Sequence, residues 1–209
     1  MKDFEEKNMP ARPSLAKQNL GGPDRQEAKA FFWEVIKVVT ICLAIIIPVR
    51  YYLFQPFFVK GASMEPSFND GDYVLIDELS YNFRDPQRGE VIIFRSPQDH
   101  SQFFIKRVIG LPGEQIEIKN NKVAVFNEEN EEFVLDESAY LSQTQTLGNL
   151  RVQLEQDEYF VLGDNRLHSS DSRLWGGVKR KLITGRVFLR AWPLDKIAKF
   201  EQIEYSLTQ

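Results

Sequence analysis

The sequence predicts an all-β domain of twisted antiparallel sheets, preceded by one apolar helix. Beyond residue 58, short apolar runs of strand length recur with turn residues between them. No second long helical pattern and no strand–helix alternation accompanies them, which argues against a parallel α/β sheet. The helix is predicted by a single long apolar stretch near the N-terminus.

Residues 1–30 are polar and mixed in charge, with Pro10, Pro13, Gly21, Gly22 and Pro23. They lack the apolar content of a core and predict a mobile tail. Asp3, Glu5 and Glu6 argue against an organellar transit peptide.

The stretch "AFFWEVIKVVTICLAIIIPVRYYLFQPFFV" follows at 30–59, and its longest charge-free run is Val38–Val49. At about 1.5 Å per residue that segment covers ~18 Å, short of a hydrocarbon core of about 30 Å. Alone it fits a buried core helix or the apolar region of a signal peptide. Its flanks favour a retained anchor over 31–54. Lys37 and Arg50 can snorkel, Glu34 lies one turn before Lys37, and Trp33, Tyr51 and Tyr52 suit the interfaces. No small-x-small cleavage site stands directly behind the run. Arg12, Lys17, Arg25 and Lys29 precede it, which favours the tail inside and the C-terminal domain outside.

The strands are expected at "DYVLID" (72–77), "EVIIF" (90–94), "FFIKRVIG" (103–110), "QIEI" (115–118), "KVAVF" (122–126), "EYFVLG" (158–163) and "GRVFLRAW" (185–192). "KNNK" at 119–122 predicts a hairpin turn. Residues 127–157 differ in composition: "NEENEEFVLDE" carries six acids, and no Lys or Arg lies between Lys122 and Arg151. That pattern reads as a solvated surface insertion.

Charge and composition exclude several functions. The net charge of −4, with dispersed Lys and Arg, offers no footprint for nucleic acid. One cysteine, Cys42, rules out an internal disulfide, and two separated histidines make a zinc site a poor fit. "NDGD" at 69–72 lacks EF-hand spacing and reads as a turn. No metal and no cofactor is expected.

Ser63, in "VKGASMEPSFNDGDYVLID", stands between small residues and a proline, ahead of a turn. A serine hydroxyl needs a partner that takes its proton. "GASME" does not meet the G-x-S-x-G pattern, and His100 sits in a polar surface loop. His168, in "GDNRLHSSDSR", leaves a triad open, since triads are defined by geometry.

Lysine is the other candidate base. Strand alternation sets Phe104, Lys106 and Val108 on one face and Ile105, Arg107 and Ile109 on the other. Burying an ammonium is costly, but the cost lowers its pKa from about 10.4 towards neutrality. A snorkelling edge lysine remains the alternative. The loop "FVLGDNRLHSSDSRLWGGV" (160–178) brings ion-pairing residues, Asp164, Arg166, Asp171 and Arg173, with hydroxyls that can orient an amine.

Together these segments resemble a known family. "GASMEPSFNDGDYVLID", "RGEVIIFRSP", "FIKRVIGLPGE" and "GDNRLHSSDSRLWG" occur in the order found in bacterial type I signal peptidases, behind a membrane anchor. The similarity runs over roughly 31–193, ending in "GRVFLRAWP".

The resemblance implies that Ser63 is the nucleophile and Lys106 the general base. Ser169 would orient the lysine, with Asp171 and Arg173 as a supporting ion pair. Phe57, Val59, Met64, Phe104 and Ile105 would shape pockets for small substrate side chains. It further implies a catalytic β core over 55–209 with a smaller β insertion at about 114–157.

The expected substrates are preprotein signal peptides and the expected location a lipid bilayer. That bilayer would be the bacterial cytoplasmic membrane, with the catalytic domain outside; a thylakoid membrane also fits. Some members use a hydroxyl two residues before the nucleophile as an oxyanion donor. Gly61 stands there, so the second donor is unassigned. Two rivals stand beside this reading: a soluble self-cleaving regulator with the same pair, which the anchor disfavours, and a membrane-held β scaffold.

Overall fold

The computed structural model describes residues 25–48, 54–127, 129–141, 146–200, 202, 203, 205, 207 and 208. Helix α1 runs from Arg25 to Pro48, 24 residues or about 36 Å. It starts inside the expected tail, because "RQEAKA" consists almost wholly of strong helix formers. The stretch Ala28–Ile47 is long and apolar enough to cross a membrane. Phe31, Trp33, Ile41 and Ile45 on it are all exposed. An exposed helix this apolar is compatible with membrane anchoring. The rest of the expected tail lies outside the described residues, as do Arg50, Tyr51 and Tyr52.

The second unit is all-β. Its strands are β1 (Phe54–Phe58), β2 (Tyr73–Asp77), β3 (Val91–Arg95), β4 (Phe103–Gly110), β5 (Gln115–Lys119), β6 (Lys122–Phe126) and β7 (Glu132–Leu135). Then follow β8 (Leu150–Gln153), β9 (Glu158–Leu162), β10 (Val178–Lys179), β11 (Ile183–Trp192), β12 (Ala198–Lys199) and β13 (Leu207–Thr208). One short helix, α2 (Ser172–Trp175), lies between β9 and β10. The larger sheet has the order β1-β2-β11-β3-β4-β9-β10, with β12 on β11. The smaller has the order β13-β7-β6-β5-β8. Their described pairings are antiparallel throughout.

Each expected strand is present within two residues of its bounds. Asn120 and Asn121 take φ of 51° and 63° between the paired Lys119 and Lys122, the left-handed pair a two-residue hairpin requires. Strand β1 begins at Phe54, so the expected end of the span is sheet instead. Pro56 hides it in the sequence; a proline is tolerated there because β1 has only β2 beside it in the sheet.

The expectation of a solvated insertion at 127–157 is corrected. Those residues supply β7 and β8, and Leu135, Glu137, Tyr140, Leu141 and Leu154 are buried. In β8 the burial alternates, which lets one face look acidic or polar while the other packs.

Three apolar clusters meet at β4. Ile105 joins Val59, Met64, Phe68, Val74 and Ile93. Val108 joins Ile92, Phe94, Tyr159 and Val161 on the other face. Ile109 packs with Phe160, Leu162 and the smaller sheet's Ile116, Ile118, Val123 and Val125. Full burial of such a side chain contributes about 1.5–3 kcal/mol. Strand β4 is therefore held rigidly on both sides, which suits it to carry a functional group.

Candidate active site

Ser63 lies in the turn that links β1 to β2. The Val59 N–H donates to the Asp72 carbonyl and the Gly71 N–H to the Val59 carbonyl, which closes the base of the turn. Gly61 takes a φ of 83°, left-handed and natural for glycine, and its N–H donates to Asp70 Oδ1 at 2.6 Å. The Phe68 N–H donates to the Met64 carbonyl at 2.9 Å, a helical turn that directs Met64 inward.

Lys106 is 4% exposed in the middle of β4. Its Nζ donates to Ser63 Oγ at 2.8 Å and to the Ile105 carbonyl at 2.8 Å. Burial among apolar groups pushes the amine down to about 8, against the weaker opposing pull of the Asp171 and Asp164 carboxylates. An ammonium that is cheap to deprotonate, in hydrogen-bond reach of a hydroxyl, is the arrangement a general base needs. Neither histidine supplies an alternative. His100 and His168 are both exposed, and the His168 ring meets Asn165 rather than Ser63.

The loop after β9 closes over the pair. Arg107, the residue after Lys106, points the other way and grips Asp164 through two bonds of 2.9 and 2.6 Å. Asp171 is fully buried, accepts the Gly163 N–H at 3.1 Å and caps α2 by accepting from the Arg173 N–H. The Arg173 guanidinium bonds the same carboxylate at 2.8 and 2.9 Å and reaches the Arg166 carbonyl at 2.7 Å. Arg166 in turn pairs with Glu137 at 2.8 and 2.5 Å. Gly163 has no room for a Cβ, which would collide with the Ser63 carbonyl and the Ser169 hydroxyl. Ser169 thus lies beside the Ser63 backbone, but its buried Oγ has no hydrogen-bond partner among the described residues.

A cavity of about 260 Å³ opens next to Ser63 and Lys106. Phe57, Val59, Phe104 and Ile105 line it, as expected residues, together with Phe58, Lys60, Val74, Ile93, Phe103 and Ser170. Met64 does not line it. That side chain is fully buried and packs behind Val59, Val74 and Ile105, because the 64–68 turn directs it inward. Val74 and Ile93 are missed by motif reading, although strand alternation from β2 and β3 puts them on the same face as their lining neighbours.

A serine hydroxyl seated on a buried amine, at the floor of an apolar cleft in an all-β body, has the makings of a peptidase that works without histidine. The profile of the family "Signal peptidase, peptidase S26" matches residues 32–192. A probable signal peptidase I-2 from Synechocystis sp. is 33% identical over 169 residues, covering 78% of this chain and 75% of its own. Signal peptidase I V of Bacillus subtilis is 34% identical over 165 residues, 75% of this chain and 96% of its own. Signal peptidase I of Leptolyngbya laminosa is 28% identical over 197 residues, 91% and 90% of the two chains. The chain belongs to the signal peptidase family, peptidase S26. It is a serine peptidase of the signal peptidase I type.

Proposed function

We propose that this enzyme is a membrane-held endopeptidase that removes signal peptides from exported preproteins, with Ser63 as nucleophile and Lys106 as general base. The observation that carries the proposal is the 2.8 Å contact between Lys106 Nζ and Ser63 Oγ. The amine in that contact is almost wholly shielded from water.

In the reaction the proton roles of that contact are exchanged. Neutral Lys106 accepts the Ser63 hydroxyl proton as Oγ attacks the scissile carbonyl carbon, and the carbonyl electron pair moves to oxygen. The Ser63 N–H is the donor for that oxyanion. Collapse of the adduct expels the amine of the mature protein, which takes its proton from the Lys106 ammonium. The neutral amine then takes a proton from water, whose oxygen attacks the ester; as the adduct collapses, Ser63 Oγ leaves with that proton and Lys106 is neutral again.

Supporting roles follow from the contacts. Asp171 and Arg173 brace the loop through Gly163, whose missing Cβ lets it abut the Ser63 carbonyl. Ser169 is proposed to orient the lysine by a rotation of its unpartnered hydroxyl. The cavity beside Ser63, walled by Phe57, Val59, Phe104 and Ile105, takes the small side chains before the cut. The domains are read as a cytoplasmic tail, an anchor that includes α1, and an extracytoplasmic catalytic domain from about residue 55. The insertion at about 114–157 carries β5 to β8.

The test is incubation of the detergent-solubilised full chain with a signal-bearing preprotein, with the cut mapped by mass. Ser63→Ala, Lys106→Ala and Lys106→Arg should each fold and leave the preprotein intact, since arginine cannot deprotonate near neutral pH. Turnover by either lysine variant would sink the base assignment.

A further inference from the structure

Asn165 makes two contacts with the turn that carries Ser63 and a third with His168 in its own loop. Its backbone N–H donates to the Ser63 carbonyl at 3.0 Å, and its side-chain Nδ2 donates to the Ala62 carbonyl at 3.1 Å. Its Oδ1 lies 3.2 Å from Nδ1 of His168. The orientation of the amide follows from its neighbours. A carbonyl only accepts, so the amide nitrogen faces Ala62 and the oxygen faces His168 Nδ1.

The Ala62 carbonyl and the Ser63 N–H belong to one planar peptide unit, which is trans. The two groups point in opposite directions and can only turn together. A donor that fixes the carbonyl therefore fixes the aim of the N–H. The following peptide unit is fixed as well, through the Ser63 carbonyl. One residue thus holds both peptide planes that flank the Ser63 Cα. A bond to the Ala62 carbonyl also polarises the unit and strengthens its N–H as a donor.

The Ala62 carbonyl also accepts from the Glu65 N–H at 3.2 Å, a bond within the turn itself, so Asn165 is the donor that ties this peptide unit to the neighbouring loop. Position 61 has no hydroxyl, and the Gly61 N–H is already committed to Asp70. We infer that Asn165 is a positioning residue that aims the Ser63 N–H at the oxyanion formed during acylation and deacylation. The inference rests on the reading of Ser63 as nucleophile.

The test compares the wild-type full chain in detergent with Asn165→Ala, on a signal-bearing preprotein. The variant keeps the backbone bond to Ser63 and loses the side-chain contacts to Ala62 and to the exposed His168. Removing an oxyanion donor outright costs about 10²–10³ in kcat, so loosening one should cost roughly 10–100-fold. KM should stay within about threefold, as ground-state binding is untouched. The midpoint of the pH profile should not move, because Lys106 keeps its surroundings.

A second readout separates aim from mere stability. Ser63 Oγ adds to the carbon of a peptide aldehyde, its proton passes to Lys106, and the aldehyde oxygen becomes the oxyanion in the hole. Aldehyde affinity should fall in Asn165→Ala by about the same factor as kcat. The matching peptide alcohol, which forms no adduct, should bind as before.

Wild-type kcat in the variant, or equal weakening of aldehyde and alcohol, overturns the inference. Asn165→Asp, of the same size but without the donor, is the second variant. If circular dichroism shows neither variant folded, the residue is structural and the inference fails too. Activity in a parallel Ser63→Ala sample would instead overturn the nucleophile reading itself.

Discussion

Arg107 and Asp164 form a two-bond ion pair at 2.9 and 2.6 Å, with side chains only 3% and 0% exposed. The residue before Arg107 is Lys106, equally buried but without an ion pair among the described residues. Adjacent residues on a strand face opposite ways, so one cation is neutralised while its neighbour is left to a hydroxyl and a carbonyl. On the proposed role of Lys106 as the base, that contrast leads to the first prediction.

Activity should rise with pH as the base loses its proton. With the Lys106 amine at about 8, kcat/KM should climb roughly tenfold per pH unit below that value and level off above it. At pH 6 about 1% of the plateau should remain. Initial-rate cleavage of a preprotein from pH 5 to 10 checks this; a flat profile would contradict it.

The same burial should weaken the fold at neutral pH. The folded amine releases its proton near 8 and the unfolded one near its ordinary 10.5. Between those values the unfolded chain holds more protons, so stability rises with pH there, and below 8 the penalty is full and constant. At about 1.36 kcal/mol per pH unit the penalty is roughly 3 kcal/mol. Lys106→Met should therefore be more stable at pH 7 by up to that amount, less its two lost hydrogen bonds. The Tm gain of up to roughly 10 °C should vanish above about pH 10.5.

Gly163→Ala should remain folded yet nearly inactive. The new methyl would strike the Ser63 backbone carbonyl, which has to shift. Displacing a reacting group by about 1 Å can cost ~10²-fold. Single-turnover cleavage should show the loss in the chemical step, and thermal unfolding should change far less.

Glu137→Ala should be among the most destabilising changes outside the site. It leaves Arg166, whose side chain is 2% exposed, as a buried charge without its carboxylate. Breaking such a pair costs about 3–5 kcal/mol. Urea unfolding of the variant measures this directly.

Much of this architecture is legible in the sequence, for reasons that differ by element. Strands such as β4 and β6 announce themselves by apolar runs between turn residues. β7 and β8 do not, because the acids of 127–157 dominate the composition while only part of each strand is buried. Lys106 stands out as a charge on an apolar face of its strand, opposite Arg107, but its meeting with Ser63 across 43 positions is made by the tertiary fold. The inward course of Met64 depends on the 64–68 turn, which no periodicity announces. Asn165 reaches Ala62 across 103 positions, a contact only tertiary structure creates.

The strand order also has a consequence in time. The turn that carries Ser63 belongs to β1 and β2, and Lys106 belongs to β4. Within the sheet these halves are joined only through β11, which lies between β2 and β3. Such long-range pairing forms late, after most of the polypeptide is available. During synthesis the ribosome must pass Trp192 before serine and lysine can be locked into one sheet. On the proposed reading, a nascent peptidase is thereby kept inert until β11 has been made.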